Sequence, residues 1–211
     1  MTIKKQLILF PCNGNAIEAL DCIDYSKFDV IGFVDDSAEK IGTHQNGVTV
    51  FDRSLFSKNP NAQVLAVPGS PVSFQDRDKI IEGLQLNPNR FVNVIHPSAH
   101  ISSFATMGKN CLLMEGVVLK AGASIGNSVC MLPYSVLHHD SRIDDYSLIG
   151  SSVVIAGYVK IKEKCYIGSG SKIKNNTEIG HECLVGMGSN VLQSLSPKEV
   201  YYGNPAKQKS I

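Results

Sequence analysis

Stepping through the chain six residues at a time from Ile95 lands on an aliphatic side chain at every stop: Ile95, Ile101, Met107, Leu113, Leu119, Ile125, Met131, Leu137, Ile143, Ile149, Ile155, Ile161, Ile167, Ile173, Ile179, Val185 and Val191. A second track lies four residues after each stop, from Ala99, Ala105 and Cys111 through Ser135, Ser141 and Ser147 to Cys183 and Ser189. Every member of it is small or β-branched. Neither a helix period nor a two-residue alternation gives this pattern. A parallel β-helix does: short strands lie on three flat walls, the large aliphatic residue fills the axis, and the small one fills the space beside it. Three hexads close one coil, so residues eighteen apart stack at roughly 4.8 Å, in a column on the order of 25 Å long. Glycine follows the aliphatic residue at 108, 126, 150, 168, 180 and 186, where a sharp corner is expected to need permissive backbone.

The six cysteines show no CxxC and no zinc-like spacing, which suits thiols in a reducing compartment. Cys111, Cys165 and Cys183 fall on the small inward track and are expected to pack rather than react. Open faces and sheet ends on such a prism favour association, and threefold symmetry suits a three-walled column.

Before Ile95 the sixfold pattern is absent. QLILF (6–10) suggests a buried strand, PCNGNA (11–16) a turn and IEALDCI (17–23) a helix. DVIGFVDD (29–36), VTVF (48–51) and VLAVPG (64–69) suggest further strands, FQDRDKIIEGLQ (74–85) a helix, and FVNVIH (91–96) a lead into the prism. That order predicts a small Rossmann-like α/β domain over residues 1–92 and an all-β helical domain with a C-terminal tail over 93–211. Asn13-Gly14-Asn15 sits between the first strand and a helix start, where backbone N–H groups attract phosphates. Asp35 closes the second strand, the place where dinucleotide folds hold a ribose. There is no GxGxxG, which argues against nicotinamide and flavin. A nucleotide-sugar site and a plain turn with surface acids both remain open, and Asp36 suits a helix cap as well as a ligand.

A net charge of +1 removes the electrostatic case for nucleic acid or an anionic membrane. No apolar run approaches bilayer length, and MTIKKQLILFPCNGN has too short an apolar core for a secretory signal. A cytoplasmic location is the expectation.

One polar cluster interrupts the prism: His138, His139 and Asp140. His139 falls at a bend and should point off the edge, with Ala121 one coil before it and Gly157 one coil after. That leaves open space for a thin ligand such as a pantetheine arm. An exposed imidazole suits proton transfer near neutral pH, and Asp140 could orient it and raise its proton affinity. An ordinary solvated corner is the alternative. Zinc would need three converging ligands, and only the adjacent pair stands out, so no metal is expected.

The segments LFPCNGNAIEAL, GFVDD, NVIHPSAHIS, VLHHDSRIDDYS, VIAGYVKI, YIGSGSKI, LVGMGSNVL and YYGNPAK, in this order, resemble the hexapeptide-repeat sugar O-/N-acyltransferases of the sialic-acid and bacillosamine type (NeuD/PglD-like). The resemblance implies a left-handed β-helix, acetyl-CoA as co-substrate, a nucleotide-sugar acceptor, and a homotrimer with sites between adjacent subunits. It assigns His139 as general base and Asp140 as the acid that raises its basicity. It places Asn13, Gly14, Asn15, Asp35 and Asp36 at the nucleotide sugar, and Gly157, Ser169 and Met187 beside acetyl-CoA. Two positions depart from the family pattern: Asn15 and Leu148 stand where relatives carry histidines. The implied reaction is N-acetylation of a UDP- or dTDP-linked 4-amino-4,6-dideoxyhexose for surface glycan biosynthesis. O-acetylation of a sialic-acid-like sugar and a non-catalytic nucleotide-sugar scaffold are the rivals.

Overall fold

The computed structural model describes residues 3–209. Its layering follows from the alternation in β1 (Lys5–Phe10). Leu7 and Leu9 point into one apolar cluster and Ile8 and Phe10 into another. Both clusters are closed to water, so the strand lies at the centre of a sandwich. β2 (Phe28–Val34) and β5 (Gln63–Ala66) flank it in parallel, β4 (Val48–Phe51) pairs outside β2, and β3 (His44–Gln45) adds an antiparallel edge. The strand order is β3-β4-β2-β1-β5.

The helices are shorter than the sequence suggests. The first runs as α1 (Gly14–Glu18) and then tightens into a 3₁₀ segment, Ala19–Cys22, so it starts earlier than the expected 17–23. Asn13 sets that start by capping the Ala16 N–H with its side chain at 3.0 Å. α2 (Ser54–Lys58) was not evident in the sequence. The helix expected at 74–85 is a 3₁₀ turn, Phe74–Asp76, leading into α3 (Arg77–Glu82).

From Val94 onward the chain winds as a left-handed parallel β-helix. The first wall stacks strands such as Val118–Leu119, Val136–Leu137 and Val154–Ile155. The second wall stacks Ser124–Ile125, Arg142–Ile143 and Lys160–Ile161. The third stacks Leu112–Leu113, Cys130–Met131 and Leu148–Ile149. Partners stay eighteen apart until the last coil, where Val185 pairs with Tyr201. Tyr201 and Ala206 close that end of the core. The axial aliphatics from Leu113 to Ile167 are essentially inaccessible to water. Buried serines bridge the coils: Ser141 donates to the Ala156 carbonyl at 2.6 Å and accepts from the Val159 N–H at 3.1 Å. That satisfies a polar atom which would otherwise weaken the core.

The corner glycines correct the sequence reading. Gly108, Gly126, Gly150, Gly168, Gly180 and Gly186 do not have positive φ. They are small because the next coil crowds them: a Cβ on Gly168 would lie 2.5 Å from the Met187 backbone nitrogen, and one on Gly150 would lie 2.5 Å from that of Ser169. The left-handed conformation falls two residues later and is taken mostly by ordinary side chains, among them Asn110, Ser128, Asp140, Tyr146 and Tyr158, with glycine there at Gly170 and Gly188.

The third wall carries the α/β unit. Leu112, Met114, Cys130 and Leu148 share one apolar cluster with Leu7 and Leu9. Asn110 extends β5 across the junction, accepting from the Ala66 N–H at 2.7 Å and donating to its carbonyl at 2.9 Å. Arg77 is completely buried and has no carboxylate partner among the described residues. Its guanidinium donates to the carbonyls of Pro68, Tyr146 (2.8 Å) and Ser128 (2.6 Å). Burial lowers its pKa.

Candidate active site

The bend after Leu137 builds the edge between the first and second walls. Leu137 turns inward and the His138 N–H donates to the Ile155 carbonyl at 2.9 Å, keeping the rung in register. Asp140 takes the left-handed position, with φ of 57°, which a short polar side chain tolerates. That turn brings its carboxylate back to the preceding ring: Oδ2 lies 3.0 Å from His139 Nδ1. The two side chains are 54% and 50% exposed, so the pair stands in solvent, off the edge as expected.

Two glycines one coil away make room for it. A Cβ on Gly122 would lie 2.5 Å from Asp140 Oδ1, and one on Gly157 would lie 2.6 Å from His139 Nε2 and 2.7 Å from Cε1. The space beside Gly157, expected to be an open slot, is therefore filled by the imidazole itself. With Nδ1 held by the carboxylate, Nε2 is the nitrogen left for a substrate proton. Gly122 and Tyr158 are the contributors missed in the sequence. Stepping eighteen residues back and forward from Asp140 would have found both.

The coenzyme candidates divide between edges. Gly157 shares the edge of His139. Ser169 and Met187 lie one coil apart on the edge between the third and first walls. Ser169 Oγ accepts from the Ser151 N–H at 3.1 Å, and Met187 is 78% exposed. Their own backbone N–H groups have no acceptor among the described residues, whereas the equivalent Asn127 N–H is taken by Asp145 at 2.8 Å.

The nucleotide-sugar candidates also separate. Gly14 and Asn15, with Asn13, line a cavity of about 290 Å³ against the third wall, together with Ser70, Leu148 and Tyr166. Asn13 is occupied by the cap and by donating to the Val67 carbonyl at 3.1 Å. Asp35 is buried behind the loop, accepting from the N–H groups of Cys12 (2.9 Å) and Ser37 (2.9 Å) and from Lys40 (3.0 Å). Both of its oxygens are engaged in shaping the loop. Asp36 holds Arg53 at 2.6 and 2.8 Å, and that pairing lowers its carboxyl pKa. Neither acid lines the cavity. Leu148 is 2% exposed, a packing residue.

Larger cavities of about 440 and 460 Å³ lie between α3 and the edge that joins the second and third walls. None of the candidate residues lines them. The buried thiols are pushed up by desolvation, Cys111 to about 11 and Cys130 to about 12, so they are poor nucleophiles. Among the described residues no group of three or more His, Cys, Asp or Glu side chains is placed to hold a metal, and no helix is long and apolar enough to cross a membrane.

No family model matches the chain. It is 27% identical to GDP-perosamine N-acetyltransferase of Escherichia coli O157:H7, a match covering 64% of this chain and 59% of that protein. It is 28% identical to an acyl-[acyl-carrier-protein]--UDP-N-acetylglucosamine O-acyltransferase of Sinorhizobium fredii, covering 42% of this chain and 36% of that one. The chain thus spans between about a third and three-fifths of these curated relatives. A mutant perosamine N-acetyltransferase from Caulobacter crescentus, solved with CoA and GDP-perosamine, superposes with a TM-score of 0.86 at 23% identity, over 100% of this chain and 99% of that one. The fold is therefore the expected one from end to end, an α/β unit followed by a left-handed β-helix.

Proposed function

We propose that the chain is an acetyl-CoA-dependent N-acetyltransferase acting on the amino group of a nucleotide-linked amino sugar. The observation that carries this reading is the exposed His139 at the prism edge, with Nδ1 tied to Asp140 and Nε2 without a hydrogen-bond partner among the described residues. The similarity to sugar N-acetyltransferases supports the class of reaction. The perosamine N-acetyltransferases among the relatives act on a GDP-linked sugar and the O-acyltransferase on a UDP-linked one; a UDP- or dTDP-linked 4-amino-4,6-dideoxyhexose is the acceptor inferred for this chain.

The sugar amine attacks the thioester carbonyl, forming the C–N bond as the carbonyl π electrons move to oxygen. His139 Nε2 takes the amine proton. Asp140 keeps the ring in the useful tautomer and supplies the counter-charge to the imidazolium that forms. The free N–H groups of Ser169 and Met187 suit the carbonyl oxygens of the coenzyme. Collapse breaks the C–S bond, and the thiolate leaves with the proton from His139. Gly14 and Asn15 line the sugar-nucleotide cavity, Asn13 and Asp35 set the shape of its loop, and Asp36 reaches a ligand only if it releases Arg53.

The cavity and the base lie on opposite sides of one prism. The cavity sits on the third wall, and His139 stands on the edge shared by the other two. That separation supports a shared site, in which the cavity of one subunit faces the edge of another. A homotrimer supplies that arrangement three times by symmetry.

The test is thiol release from acetyl-CoA with a panel of UDP-, dTDP- and GDP-linked amino and hydroxy sugars. Turnover with amino sugars, reduced about 10²–10⁴-fold in His139→Ala without loss of fold, is the expected result. Turnover only with hydroxy sugars would make it an O-acetyltransferase. None with any sugar, despite nucleotide-sugar binding, would make it a scaffold.

A further inference from the structure

Tyr158 lies one coil beyond Asp140, on the edge that carries His139. Its ring meets the imidazole at right angles, with centroids 5.1 Å apart and planes at 88°. Its backbone N–H donates to the His139 carbonyl at 3.2 Å. The residue takes a φ of 60°, a conformation uncommon for bulky side chains. Yet the residue is 55% exposed, so the prism core does not require an aromatic group there.

What the imidazole requires is different. The last torsion of a histidine is broad and roughly two-fold, and a single half-exposed carboxylate holds it only loosely. If the ring turned over, Nδ1 would leave Asp140 and the base would lose its tautomer. Gly157 lets the ring settle against the next coil on one side, and Tyr158 meets it on another. We propose that Tyr158 is a positioning residue: its ring holds the His139 imidazole in the orientation that keeps Nδ1 on Asp140 and leaves Nε2 to accept the proton. This rests on the reading of His139 as the base. A perpendicular aromatic contact has a modest energy, so its loss corresponds to about a 3–10-fold effect on turnover.

The test compares Tyr158→Ala and Tyr158→Phe. In ¹⁵N spectra of the free protein, with the His139 signal assigned by its loss in His139→Asn, the wild type should show one neutral tautomer protonated at Nδ1. Tyr158→Ala should show a mixture, and Tyr158→Phe, which keeps the ring, should restore the single form. In turnover, Tyr158→Ala should lose kcat with both KM values within about twofold, and Tyr158→Phe should recover it. An unchanged tautomer in Tyr158→Ala, or a loss confined to the sugar KM, would overturn the proposal. The spectra need no substrate, so they decide the role of Tyr158 even if no sugar is acetylated and the catalytic reading fails.

Discussion

The prism and the α/β unit use polar residues in opposite ways. In the prism, position within the hexad fixes each residue's task, so a side chain that does not serve packing is visible at once. His139 and Asp140 stand half exposed at an edge and contact chiefly each other and Tyr158. In the α/β unit, the residues that look most like ligands in the sequence are already engaged. Asn13 caps α1, Asp35 gathers the loop around Cys12, and Asp36 holds Arg53. A conspicuous acid in irregular structure is weak evidence of binding, because such structure needs acids to satisfy its own backbone. In the repeat an acid can have that duty too, as Asp145 does for the Asn127 N–H, but among the described residues Asp140 takes no backbone N–H and holds His139 instead.

The largest expected effect breaks this comparison into its two halves and rejoins them. His139→Ala disables the prism edge. Gly14→Trp should block the cavity while leaving the fold, because a Cβ at Gly14 meets nothing within 4 Å. Each variant alone should be nearly inactive. Unfolded together and refolded at equal ratio, they should recover about a quarter of wild-type activity, the fraction of interfaces that pair an intact cavity with an intact edge. No recovery in a verified mixed oligomer would place both halves of the site within one copy.

A smaller effect separates the two kinds of glycine. Gly168→Ala would force a Cβ to within 2.5 Å of the Met187 nitrogen and 2.8 Å of the Gly186 carbonyl carbon. Backbone cannot step aside as a side chain can, so the expected loss is about 1–3 kcal/mol, or a fall of several degrees in Tm. Gly14→Ala should cost nothing measurable. Thermal unfolding of the two variants checks the contrast, and equal Tm values would show that the coils can spread.

The axial and small tracks were legible because each position is repeated many times, so chance is averaged out. The reason for the glycines was not, since crowding by the next coil and a left-handed turn both favour the same residue. In the α/β unit the central strands were legible from their apolar runs. The β3–β4 hairpin had a signal that went unused: Asn46-Gly47, both at positive φ, is a common two-residue turn. The joint between the regions was not legible at all. Arg77 looks like one charge on an amphipathic helix, and only the fold brings the carbonyls of Pro68, Ser128 and Tyr146 around it. Asn110 likewise finds Ala66 across 44 residues of sequence.

The smallest effect concerns Asp36, where the sequence reading and the geometry diverge most. If Arg53 is its true partner, Asp36→Asn should act on stability and leave the sugar KM within about twofold. The carboxyl pKa is lowered in the folded protein, so the pair stabilises above the unfolded pKa of about 4 and that contribution fades as pH falls through the folded value. Both side chains are about half exposed, so solvent screening limits the difference to about 1 kcal/mol or less. Chemical denaturation of wild type and Asp36→Asn should therefore differ slightly at pH 7 and converge below pH of about 4. A tenfold rise in sugar KM with no change in stability would return Asp36 to the binding site. The α/β unit would then expose its chemistry as openly as the prism does.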